Sequence, residues 1–219
     1  ASECPPTFGV PQHWVQGVIA GGDAALKTAI EGAEDDAEAG KKAIIDALIS
    51  EKDVVIGISA SGQSAFVQNA LLTATQHGAF TVALTNHAQS PLIQQAQACI
   101  ILDTGPEVIA GSTRMNAGTA QKLTLNLLST AAMVAMGKTY GNLMVDLNPT
   151  NQKLCKRAIR LIAHIAQVPQ QQAQEAFKAS GQNIKIAVLM LTHHCSRKQA
   201  QTLLSQAGGK LRLALEDLS

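Results

Sequence analysis

Apolar residues in this chain follow two different periods. Four short runs, "WVQGVIA" (14–20), "DVVIGIS" (53–59), "FTVALT" (80–85) and "ACIILD" (98–103), are bounded by Gly, Asp or Asn and read as buried strands. Between them, "AALKTAIEGAEDDAEAGKKAIIDALI" (24–49) and "SAFVQNALLTATQHG" (64–78) carry helical patterns, with Gly78 placed to stop the second. Strands alternating with helices predict an α/β fold, a doubly wound parallel sheet covered on both faces. Ligands bind beyond the carboxyl ends of such strands, which directs attention to loops 20–23, 59–64, 85–90 and 104–114.

The pattern changes past residue 113. Residues 115–136 read as one long, mainly apolar helix ended by Gly137. The connector "GNLMVDLNPTN" (141–151) reads as structural, and a polar-capped helix begins near Pro149. Residues 168–219 then offer three or four short helices, a small helical appendage to the sheet domain. The division expected is 1–158 for the sheet domain and 159–219 for the helical one.

Composition narrows the classes of function. The 219 residues are 46% hydrophobic, enough for one α/β domain and a smaller module. Seventeen Lys and Arg against sixteen Asp and Glu leave a formal charge of +1, and aromatics make up 3%. Nucleic-acid binding is thereby disfavoured, because it needs a basic footprint and stacking rings. Cys4, Cys99, Cys155 and Cys195 form no CxxC pair, and the six histidines show no metal spacing, so no zinc or redox metal site is expected. No apolar run approaches the ~20 residues that span a bilayer. A cytoplasmic protein without a membrane partner is expected.

Three segments carry groups capable of chemistry. In "GISASGQSAF" (57–66) a strand gives way to a helix through Ser59, Ala60, Ser61, Gly62 and Ser64. Free N–H groups, the helix dipole and three hydroxyls suit a phosphate monoester; an ordinary Ser-rich helix cap reads equally well. No GK[ST] follows, which disfavours a nucleoside triphosphate. The acidic run holds Glu31, Glu34, Asp35, Asp36 and Glu38. It reads as a solvated helix face, or as the source of one carboxyl that moves protons. In "GPEVIAGSTRMNAGTAQK" (105–122), Glu107, Ser112, Thr113, Arg114 and Lys122 crowd a loop-to-helix junction, either as an anion site or as a capping loop. "ASECPPTFGV" (1–10) sets Glu3 and Cys4 before two prolines, either a tail or an active-site loop.

Taken together, "ASECPPTFG", "IAGG", "EGAEDD", "GPEVIAGSTRMNAGTAQK" and "YGNLMVDLNPTN" resemble, in order and spacing, the N-acetylmuramic acid 6-phosphate etherases. These belong to the sugar isomerase (SIS) superfamily, which also includes the glucokinase regulatory protein. The resemblance implies cleavage of the D-lactyl ether at C3 of a phosphorylated amino sugar, by elimination and hydration, in cell-wall recycling and without metal or cofactor. It implies a proton donor at Glu3 and a second catalytic acid at Glu34. The phosphate loop corresponds to Ser59, Ala60, Ser61, Gly62 and Ser64, with Glu31 and Glu107 as sugar contacts and a homodimer as the assembly. The alternatives are a non-catalytic sugar-phosphate-binding regulatory protein and an aldose–ketose isomerase, for which His87 is the candidate ring-opening group. Two departures are expected to matter. Asn116 stands where the family usually has Lys. The family also carries an N-terminal segment before "ASECPPT", with the first strand and a Gly-rich loop, so these residues alone are expected to be poorly stable or inactive.

Overall fold

The computed structural model describes residues 1–216. In chain order its helices and strands are α1 (Cys4–Phe8), α2 (Ala37–Asp46), β1 (Val54–Ile58), α3 (Ala65–Gln76), β2 (Phe80–Thr85), β3 (Ala98–Ile101) and α4 (Asn116–Ala135). They continue with β4 (Thr139–Tyr140), β5 (Leu143–Met144), α5 (Gln152–Ala166), α6 (Gln170–Ala179), α7 (Ile184–Thr192), α8 (Arg197–Gln206) and α9 (Leu211–Glu216). Two compact units result, residues 17–127 and residues 1–16 with the chain from 128 onward.

The first unit is the α/β one. Its strands are parallel in the order β1-β2-β3, with Val54 opposite Phe80 and Val82 opposite Ala98. Leu71, Ala83 and Leu92, with Val55 and Val67, form one core cluster, and Ile44, Ala70, Ala74 and Ala79 form another between α2 and α3. Two glycines permit this close packing. A Cβ on Gly57 in β1 would lie 2.7 Å from Leu71 of α3, and one on Gly40 in α2 would strike the Phe66 carbonyl. The helix stops as its sequence suggests: Ser64 caps the start of α3, and Gly78 follows its end at φ +82°.

Two sequence expectations fail here. Residues 14–20 form no strand: Gln12–Trp14 is a 3-10 turn, and Val18 and Ile19 stay exposed. An apolar run becomes a strand only where a ladder takes up its backbone groups, and among the described residues none does. The single helix over 24–49 is also broken. Gly32 adopts φ +71°, Asp36 turns to ψ 91° to cap α2 through the Ala39 amide, and 3-10 turns cover Gly22–Leu26 and Ala33–Asp35.

In the second unit, α5–α9 surround a core containing Ile162, Phe177, Val188, Leu189 and Leu211, against which β4 and β5 also pack. Asn151, two residues past Pro149, caps α5, and that helix runs across residue 159. Separately, Cys4 of α1 is buried with Val10 and Met133, the latter near the end of α4. No described helix is long and apolar enough to cross a membrane.

Candidate active-site residues

At the carboxyl ends of β1 and β2 the loop after β1 folds back on itself. Ser59 Oγ accepts from the Gly62 amide at 3.0 Å, Ser61 Oγ from the Gln63 amide at 3.2 Å, and Ser64 Oγ from the Val67 amide at 3.4 Å. Gly62 sits at φ +71°, and a Cβ there would run into Ser90 Oγ, so only glycine fits this turn. The Ala60 carbonyl accepts from the Asn86 amide at 3.0 Å and from Thr85 Oγ1 at 3.1 Å, fixing the loop to the end of β2. The result is a rigid Ser-Gly turn at the amino end of α3, where N–H groups and the helix dipole favour an anion. Ser59, Ala60, Ser61, Gly62 and Ser64 therefore form one structural cluster.

Glu34 is brought to that cluster by its backbone. Ser64 Oγ donates to the Glu34 carbonyl at 2.9 Å, while the Glu34 carboxylate itself is exposed. One hydroxyl thus caps α3 and ties the acidic turn to the serine loop. Asp36 is consumed as the α2 cap, and Glu38 faces Lys41 at 3.9 Å on the surface, a contact worth little. Glu31 lies outside the Ala33–Asp35 turn, so no helical face is shared by Glu31 and Glu34.

Glu107 is committed differently. Its two carboxylate oxygens accept the amides of Asn116 and Ala117, each at 3.0 Å, and so cap the start of α4. The Asn116 side chain also donates to the Pro106 carbonyl at 3.0 Å, closing the 106–116 loop. Arg114 and Lys122 are exposed. Two residues that the sequence did not single out knit the same edge. Asn86 Nδ2 donates to the Leu102 carbonyl at 3.0 Å and to Thr104 Oγ1 at 3.3 Å, and Asn86 Oδ1 accepts from Gln121 Nε2 at 2.8 Å. The only sequence clue was the place of Asn86 just after a strand. His87 Nδ1 accepts the Gln89 amide, a local turn.

Glu3 precedes α1, the short helix over Cys4–Phe8 with prolines in its first turn. Its side chain makes no capping bond and is exposed, while its carbonyl accepts the Thr7 amide at 3.2 Å. The neighbouring Cys4 is the buried anchor. In the same unit, Pro5, Gly9, Lys138, Asp146, Asn148 and Asn183 line a cleft of about 590 Å³. Against Asp146, Lys185 is almost wholly buried, and burial lowers its ammonium pKa against the opposing pull of that carboxylate. Among the described residues no three His, Cys, Asp or Glu converge as a metal site.

Residues 36–136 match the SIS domain, and residues 141–183 match the C-terminal lid domain of glucokinase regulatory protein. A protein of Staphylococcus epidermidis named N-acetylmuramic acid 6-phosphate etherase is 46% identical over 98% of this chain and 73% of its own length. Proteins of the same name from Actinobacillus pleuropneumoniae (46% identical, 98% of this chain and 71% of theirs) and Yersinia pestis (47%, 98% and 73%) match in the same way.

Proposed function

Because the chain belongs to the N-acetylmuramic acid 6-phosphate etherase family, a family of carbon–oxygen lyases, we propose that it opens the D-lactyl ether of N-acetylmuramic acid 6-phosphate. The products are N-acetylglucosamine 6-phosphate and D-lactate, formed during the recycling of cell-wall amino sugars. The chemistry assigned is elimination and then hydration on the open-chain sugar. With C1 as an aldehyde the C2 proton is acidic; a carboxylate removes it, the C3–O bond breaks, and a second carboxyl protonates the departing oxygen. Water then adds at C3 and a proton returns to C2, so the balance closes without a cofactor or metal.

Glu3 is assigned the ether oxygen and Glu34 the carbon-bound proton. The turn of Ser59, Ala60, Ser61, Gly62 and Ser64 is assigned the phosphate, and Glu31 and Glu107 the sugar hydroxyls. Glu107 keeps lone pairs for this while it caps α4. The observation that carries the reading is the bond from Ser64 Oγ to the Glu34 carbonyl at 2.9 Å, which couples the turn assigned to the phosphate to an exposed acidic residue. Binding energy at a phosphate that does not react then serves to position the reacting carbons. Residues 1–158 are taken as the sugar-phosphate module and 159–219 as a helical module, with α5 common to both. A cytoplasmic homodimer is proposed, with α4 contributing its apolar stripe.

The test is D-lactate release from N-acetylmuramic acid 6-phosphate by the full-length protein. Glu34→Gln and Glu3→Gln are each expected to lower kcat by about 10²–10⁴, the usual worth of a positioned proton donor or acceptor, with the folded state intact by circular dichroism. Unchanged release in both variants would defeat the assignment.

A further inference from the structure

The connector after β5 grips two things at once. Val145 and Leu147 are buried in the helical core, so Asp146 between them is held from both sides. Its carboxylate takes Lys185 Nζ at 2.6 Å and Lys138 Nζ at 3.4 Å. Lys185, from α7, completes its three donors on the carbonyls of Gly137 at 2.9 Å and Gly209 at 2.8 Å. An ammonium so buried is tolerated only because all three protons are used and a carboxylate faces it. The same strap carries α1 on its other side. The Asn148 amide donates to the Pro6 carbonyl at 3.3 Å, and Gly9, at φ +61°, lies so close to the Asp146 carbonyl that a Cβ there would strike it. Glu3 is the N-cap of this helix, and its exposed side chain makes no capping bond and no ion pair among the described residues.

We infer that Lys185 and Asp146 are positioning residues for Glu3, fixing through the 145–148 strap the helix that aims its carboxyl. A side chain without a tether is aimed only as well as the backbone beneath it, and a misplacement of 1 Å can cost about a hundredfold in rate. The strap shares no residue with the turn at 59–64, so loosening it affects proton delivery and not phosphate binding. This inference rests on Glu3 being the acid that protonates the departing ether.

The experiment compares two substrates in the full-length protein: the natural D-lactyl ether, and the corresponding 4-nitrophenyl ether at C3. The second leaves as a stable phenolate and needs no proton on oxygen, so it bypasses Glu3. Lys185→Met and Gly9→Ala are each expected to lower kcat on the lactyl ether about tenfold or more with KM held within about twofold, a loss confined to the transition state. Both are expected to turn over the nitrophenyl ether at nearly the wild-type rate. Glu3→Gln serves as the reference and is expected to show the same split. If Glu3→Gln shows the split while the strap variants keep full kcat, or lose both substrates equally, the positioning role is overturned and the assignment of Glu3 stands. If Glu3→Gln itself shows no split, Glu3 is not the acid and both fall. Should Lys185→Met fail to fold, Gly9→Ala decides alone, since Gly9 is exposed and outside the helical core.

Discussion

At Glu107 a capping role stands beside the proposed sugar contact, and the two are separable by measurement. Its carboxylate receives two amides at the start of α4, where the N–H groups lack helical partners and the dipole favours negative charge. Glu107→Ala is expected to destabilise the protein by about 1–2 kcal/mol through the lost cap, read from the urea midpoint, and to raise KM through loss of the proposed sugar contact. A stability loss with unchanged KM would confine Glu107 to capping. Its place in a loop before a helix was legible in the sequence, but its commitment was not. The amides it takes belong to residues nine and ten positions on, and only the closed loop brings them within reach.

At the scale of elements, α2 and α3 approach so closely that the Gly40 position meets the Phe66 backbone. A backbone carbonyl cannot move aside as a side chain can. Gly40→Ala is therefore expected to cost about 1–3 kcal/mol by overpacking, seen as a lower denaturation midpoint with an unchanged denaturant slope. The stops of α3 were readable because they are local: Ser64 bonds three residues ahead, and Gly78 adopts a conformation that its own lack of a Cβ allows. The fate of 24–49 was not readable, although Gly32 and Asp36 mark it in hindsight. Apolar periodicity on either side of a break looks the same as periodicity through it.

At the scale of the molecule, α4 presents Leu123, Leu127 and Val134, which are 57%, 71% and 50% exposed and share one helical face. A stripe of this kind on a 20-residue helix is what the proposed homodimer would cover. Sedimentation equilibrium is expected to give a dimer, and Leu123→Glu with Leu127→Glu a monomer; a wild-type monomer at micromolar concentration would exclude that interface. The alternation of strand and helix determined the α/β class by itself, and Ser64 and Gly78 marked the ends of α3, since each depends on neighbours within a few residues. Only the tertiary structure decided that 14–20 makes no ladder, that the Glu34 turn is tied to Ser64, and that Lys185 reaches Asp146 across 39 residues. Ladders, tethers and buried ion pairs need a second partner, and that partner's distance along the chain carries no local pattern to read.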